Sequence, residues 1–144
     1  MPITIFEQVR DSFAQQQFMT TLGATLISVN PGAVEIAVPF RANLTQQNNF
    51  LHAGVITSIL DSACGYAALS VTPDAANVLS VEFKVNLLSP AVGERFVARS
   101  KVKRAGKLLT VVAADAFAIN GADEKLVATM LATIITMNAG RTQR

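Results

Sequence analysis

The sequence predicts an α+β fold, an antiparallel sheet of about five to six strands wrapped around one long central helix. Three observations lead there. Residues 52–71 are dominated by Ala, Ile, Leu and small residues, carry one charge (Asp61), and run too long for one ordinary strand. Short apolar segments bounded by turn residues flank that stretch, two before it and four after it. A helix that is apolar nearly all round has to be buried, so the sheet must curve over it.

Taken in order, Ile3, Phe6, Val9 or Arg10, and Phe13 recur at helical spacing, which predicts a short amphipathic helix in an N-terminal helical segment over residues 1–20. Residues 22–29 read as a strand closed by the turn Asn30-Pro31-Gly32. Val34, Ile36, Val38 and Phe40 alternate with Ala33, Glu35 and Ala37, giving a second strand and a hairpin. Residues 41–51 are polar and rich in amides, a loop. The central helix then covers about residues 53–71, and Pro73 is expected to end it. In residues 80–88, Val81, Phe83, Val85 and Leu87 are expected to face one way and Ser80, Glu82, Lys84 and Asn86 the other. Strands over 96–104 and 108–119 follow, joined by a turn at Ala105-Gly106. A last strand over 126–137 comes after the turn Asn120-Gly121-Ala122-Asp123. These last two strands are apolar on both faces, as strands covered on both sides would be.

The 144 residues suit a single domain over 1–144, with no repeat, linker or low-complexity tract. At 51% apolar and 15% charged the chain is not disordered, and so few charges predict that part of its surface is covered by another copy. One Cys and one His exclude an intrachain disulfide framework, a thiolate zinc cluster and a multi-His centre, so neither metal nor cofactor is expected. Glu7 and Asp11 interrupt the N-terminus before any apolar run forms, and no stretch of ~18 uninterrupted apolar residues exists. The expectation is a cytoplasmic protein with no membrane partner.

Net charge is only +2, yet six of the 12 basic residues lie between Arg95 and Lys107 with no acid among them. That window holds one aromatic and no nucleic-acid module, so nucleic acid is not the expected partner. A small nucleotide-bearing polyanion fits it, and so does a solvated basic strand.

Asp61 is the most informative residue. An unpaired carboxylate among apolar neighbours is costly, and Gly54, Thr57, Ser58, Gly65 and Ala68 share its helical face, leaving room for a ligand or a partner chain. A satisfied buried polar group reads equally well. At the start of the helix, His52-Ala53-Gly54 places small residues beside unpaired N–H groups at the positive end of the helix dipole, the construction of an oxyanion hole. The bland alternative is that Gly54 permits tight packing and His52 caps the helix. Asp61 lies seven residues beyond Gly54, roughly 10 Å along the axis. One chain can hardly bring both to the same carbonyl carbon, whereas two antiparallel helices from two subunits can.

On these residues the chain resembles the hotdog-fold acyl-CoA thioesterases, in the branch of the 4HBT superfamily that includes the phenylacetic-acid-pathway enzymes. The likeness runs through the N-terminal hairpin, the segment Asn48-Asn49-Phe50-Leu51-His52-Ala53-Gly54 leading to Leu60-Asp61-Ser62-Ala63, the run Ser80-Val81-Glu82-Phe83, and Leu88-Ser89-Pro90-Ala91. The resemblance implies hydrolysis of acyl-CoA to free acid and CoA, with Asp61 as nucleophile or as the base that activates water. It implies that the Ala53 N–H, with Gly54 beside it, polarises the carbonyl, and that His52 sets the loop and substrate. Ser80 matches a Ser or Thr found near the attacking water, and Gln46 stands in the place of an Asn. Ala53 departs from the family's Gly and Gln46 from its Asn; Asn48 is the other residue that could supply that amide. Asn48, Asn49 and, at the basic hairpin, Arg104, Gly106 and Lys107 are the substrate-binding candidates, while Phe50, Leu51, Tyr66 and Leu69 could line an acyl pocket. The implied assembly is a homodimer with composite sites, paired into a tetramer. Two other functions compete: a non-catalytic acyl-CoA-binding module on the same fold, and, lower, a hydratase using His52.

Overall fold

The structure is a computed structural model that describes residues 3–72, 75 and 77–137. Its first element, α1 (Ile5–Gln15), opens on a reciprocal cap in which Thr4 Oγ1 accepts from the Glu7 N–H and the Glu7 carboxylate accepts from the Thr4 N–H. A second short helix, α2 (Gln17–Leu22), follows and ends at Gly23, whose φ of 74° closes it. Here the sequence reading is corrected. Leu22 belongs to a helix, and strand β1 starts only at Thr25 (Thr25–Asn30). The remaining elements are β2 (Ala33–Pro39), a 3₁₀ turn (Ala42–Leu44), α3 (Ala53–Ser70), β3 (Asn77–Leu87), β4 (Arg95–Ala105), β5 (Leu109–Asn120) and β6 (Asp123–Met137). α3 ends at Ser70, before Pro73, which lies outside the described residues.

The six strands form one antiparallel sheet in the order β1-β2-β4-β5-β6-β3, and α3 lies across its inner face. Ile59, Leu60, Ala63, Cys64 and Ala67 of α3 pack on Ile36, Val38, Phe96, Ala98, Val112, Ala116 and Ile134 of the strands. By length and hydropathy α3 is the one helix among the described residues that matches a membrane span, and its apolar side chains are packed on the sheet.

The helix is not covered all round. Gly54 is exposed, and Thr57, Ser58, Asp61, Ser62 and Gly65 are half-buried, although Ala68 is fully buried. The outer faces of β5 and β6 are likewise not enclosed within the chain: Val111, Ala113, Phe117 and Ile135 are half-buried and Leu131 is 52% exposed.

Strand β3 departs from simple alternation. Its register with β6 shifts between Ser80 and Glu82, a β-bulge at Val81. Ser80 pairs with buried Ile134, whereas Glu82 pairs with Thr133 of the outer face and accepts its hydroxyl at 2.6 Å. Ser80 and Glu82 therefore face opposite sides, not the same side as their even spacing predicts. The extra residue turns Ser80 toward the helix.

Candidate active site

Two cavities flank α3, one at its N-terminus and one beside its middle. The middle one, of about 490 Å³, is bounded by Asp61, Ser62, Gly65 and Tyr66 of α3, by Asn77–Ser80 (residues 77–80) of β3, and by Ser12, Gln15 and Gln16. Asp61 is half-buried at its edge, and Ser80 Oγ donates to its Oδ1 at 2.5 Å. The second carboxylate oxygen has no hydrogen-bond partner among the described residues. Asp61 is thus neither lost among apolar side chains nor fully satisfied. One oxygen is oriented and the other is free to act.

The cavity at the helix N-terminus, of about 330 Å³, is lined by Gln46, Phe50, Leu51, Ala53 and Ile56 together with residues 87–91 and Val127. Both volumes lie in the range of small-molecule sites. His52 is the N-cap, and its Nδ1 accepts the Gly54 N–H at 2.7 Å. That acceptor role requires an imidazole carrying its proton on Nε2. The Gly54 N–H is therefore occupied, which corrects the expectation that it helps polarise a carbonyl. The Ala53 N–H, at the first helical position, has no acceptor among the described residues, and Ala53 lines this cavity. Gly54 also makes room for the ring, since a Cβ there would lie 3.0 Å from Nδ1.

Gln46 shapes the loop that leads into the helix. Its Oε1 accepts from the Asn48 N–H at 2.5 Å and from the Phe50 N–H at 3.3 Å, and Gln46 lines the cavity. Asn48 and Asn49 are exposed on the outside of that loop and line neither cavity. Of the four apolar candidates, Phe50 and Leu51 line the N-terminal cavity and Tyr66 the middle one, while Leu69 is buried in the core.

Arg104, Gly106 and Lys107 are exposed at the β4–β5 turn. Gly106 serves the turn: its N–H donates to the Leu109 carbonyl, and a Cβ would come within 2.5 Å of that oxygen. Leu109 pairs with Ile135 and Ser80 with Ile134, so the basic hairpin and Ser80 occupy the same end of the sheet. Arg99 leaves the cationic window. It bonds Glu35 and, bidentately, Glu124, and it stacks over Phe117 at 4.8 Å. The hydrogen bonds with Glu124 chiefly raise its pKa further above the usual arginine value.

One set of contacts carries no signature in the sequence beyond a run of three glutamines. Gln16 sits at the corner between α1 and α2, where its Nε2 donates to the Tyr66 hydroxyl at 3.0 Å and its Oε1 accepts from Ser62 Oγ at 3.0 Å. Ser12 Oγ lies 3.1 Å from the same hydroxyl. Tyr66, expected as an apolar lining residue, thus turns a polar tip toward the N-terminal helices.

Residues 48–125 match the 4HBT thioesterase superfamily model. The chain belongs to the thioesterase superfamily. It is 50% identical to a thioesterase family protein from Silicibacter pomeroyi of known structure, covering 94% of this chain and 99% of that one with a TM-score of 0.90. It is 31% identical over 111 residues to SSO2140 of Saccharolobus solfataricus, provisionally named an esterase, which covers 77% of each chain. The hotdog fold of this superfamily extends to PaaI from the phenylacetic acid degradation operon of E. coli, at 18% identity and a TM-score of 0.83 over 93% of this chain and 94% of that one. The expected fold and family hold, and the chain is a hydrolase of the thioesterase superfamily.

Proposed function

We propose that the protein hydrolyses acyl-CoA thioesters to a free carboxylic acid and CoA, with Asp61 as the catalytic carboxylate. The observation that carries this reading is the Asp61 carboxylate itself, held through Oδ1 by Ser80 with its other oxygen unpartnered among the described residues, at the edge of a cavity and on a helix whose sheet side is packed by apolar side chains. The free oxygen either attacks the thioester carbonyl carbon or takes a proton from the water that does so. The carbonyl oxygen gains negative charge, which the unpaired Ala53 N–H stabilises at the positive end of α3. Collapse of the adduct breaks the C–S bond, and CoA leaves as thiolate and takes up a proton. Where Asp61 is the nucleophile, water then cleaves the acyl anhydride and regenerates the carboxylate.

Ala53 and Asp61 are separated along α3 by about 12 Å and open into different cavities. The site we infer is therefore shared, with Ala53 from one protomer and Asp61 from its partner across an antiparallel helix pair. Strand β3 supports that assembly. It is an edge strand with Leu79, Val81, Phe83 and Leu87 each more than 40% exposed, a surface that invites pairing with a second copy. The half-buried outer face of β5 and β6 supports a further pairing into a tetramer. At the basic hairpin, Arg104 and Lys107 meet the CoA phosphates and raise the encounter rate.

The test is release of free thiol from a panel of acyl-CoA substrates by wild type and Asp61→Asn. Wild type is expected to release CoA, and Asp61→Asn to lose about 100-fold or more in turnover with its assembly unchanged. Retention of most activity in Asp61→Asn contradicts the assignment. Saturable binding without thiol release across the panel establishes the non-catalytic acyl-CoA-binding module instead.

A further inference from the structure

Gln16 belongs to a segment outside the residues that match the superfamily model, yet it forms one wall of the Asp61 cavity. Its position is fixed from three directions. The backbone at Gln16 is extended (φ −79°, ψ 97°), which breaks the N-terminal helix into α1 and α2 and sets the side chain at the corner. Both atoms of its amide are then engaged on α3, one by Ser62 and one by Tyr66, residues one helical turn apart. The Tyr66 hydroxyl is further held by Ser12, and the Phe13 ring meets the Tyr66 ring edge-on at 6.1 Å. A glutamine with both ends tied and its neighbours locked behaves as a rigid wall. The opposite wall is β3, where Val78 lies 3.7 Å from the place a Cβ on Gly65 would occupy.

Asp61 and Gly65, also one turn apart, form the floor between these walls. That floor offers an acyl group whose carbonyl reaches the free Asp61 oxygen a place for its carbon chain, between Gln16 and Val78. We infer that Gln16 is a specificity-determining residue that sets the largest acyl group the enzyme accepts. The inference rests on the thioesterase reading of Asp61.

Two substitutions act on this space in opposite directions. Gln16→Ala removes the wall. Gly65→Ala adds a methyl that has ordinary contact room against Val78, so it narrows the cavity without forcing the backbone. The experiment measures kcat/KM for acetyl-, butyryl-, hexanoyl-, octanoyl- and decanoyl-CoA in wild type and both variants. One methylene gained or lost in such a pocket changes kcat/KM about tenfold or more. The ratio of decanoyl-CoA to butyryl-CoA should therefore rise by about tenfold in Gln16→Ala and fall by about tenfold in Gly65→Ala. A ratio that stays at the wild-type value in Gly65→Ala, or in folded Gln16→Ala, overturns the inference while leaving the role of Asp61 intact. Failure of the wild type to hydrolyse any member of the series overturns the reading of Asp61 itself, and the wall with it.

Discussion

Cys64 stands one helical turn beyond Asp61, but on the side of α3 that faces the sheet, and the two side chains have opposite fates. The thiol is fully buried, and burial first, then the nearby Asp61 charge, pushes its pKa up to about 12. At pH 8 only about one thiol in 10⁴ is then ionised, so Cys64 is expected not to react with a thiol reagent until the chain unfolds. Titration with a thiol dye should count no cysteine in the native protein and one in denaturant; rapid native labelling would place Cys64 at the surface. Asp61, by contrast, stands at the cavity with one oxygen unpartnered among the described residues. It was legible as a candidate because a single charge stands out in a long apolar run, although the run alone reads equally well as holding a satisfied buried polar group. The His52-Ala53-Gly54 signal was legible as a helix start, but not which N–H stays free, since that depends on the turn of an imidazole onto Gly54. Gln16 was not legible at all. Its partners lie 46 and 50 residues away, and no local pattern encodes such a pairing.

At the scale of elements, α3 was readable from its length and apolar composition, and β2, β4, β5 and β6 from apolar segments bounded by turn residues. The failures sit where the local pattern misleads. Leu22 looks like the first apolar residue of a strand, yet Gly23 in the left-handed region ends a helix there. The alternation of β3 continues in the sequence straight through Val81, while the bulge reverses the faces on either side of it. That reversal brings Ser80 to Asp61, so the residue pair at the heart of the site depends on an irregularity that composition does not reveal. On the outer face, Arg99 ties β2, β4 and the start of β6 together through Glu35 and Glu124. The hydrogen bond from Arg99, supported by its charge and that of Arg95, holds the Glu124 carboxyl below its ordinary value of 4.5. A lowered folded-state value means the contact stabilises fully above that value and is lost as the pH falls through the lowered one. Glu124→Gln should therefore lower Tm slightly at neutral pH and leave it unchanged in strong acid. The exposure of the pair predicts that salt reduces the difference. An equal loss of Tm at both extremes would show that Glu124 acts through packing.

At the scale of the whole molecule, the two groups proposed for the reaction, the Ala53 N–H and the Asp61 carboxylate, belong to two different cavities of one chain. Among the described residues, the lining of one cavity includes Ala53 and no carboxylate, and the lining of the other includes the Asp61 carboxylate but not the start of α3. The low charge of the chain, the exposed apolar edge at β3 and the half-buried outer faces of β5 and β6 all support the proposed pairing with another copy of the chain. The most direct test is subunit complementation. Ala53→Pro deletes the one N–H of interest at a helical position where proline is well tolerated, and the preceding His52 already has the extended ψ of 137° that proline demands. Asp61→Asn removes the carboxylate. Each variant alone should be inactive, whereas a hybrid of the two carries one site with both wild-type groups. Equal mixing with free exchange should therefore recover about a quarter of wild-type turnover. No recovered activity after exchange has been demonstrated, or full activity in a species that sediments as a monomer, would contradict the shared site.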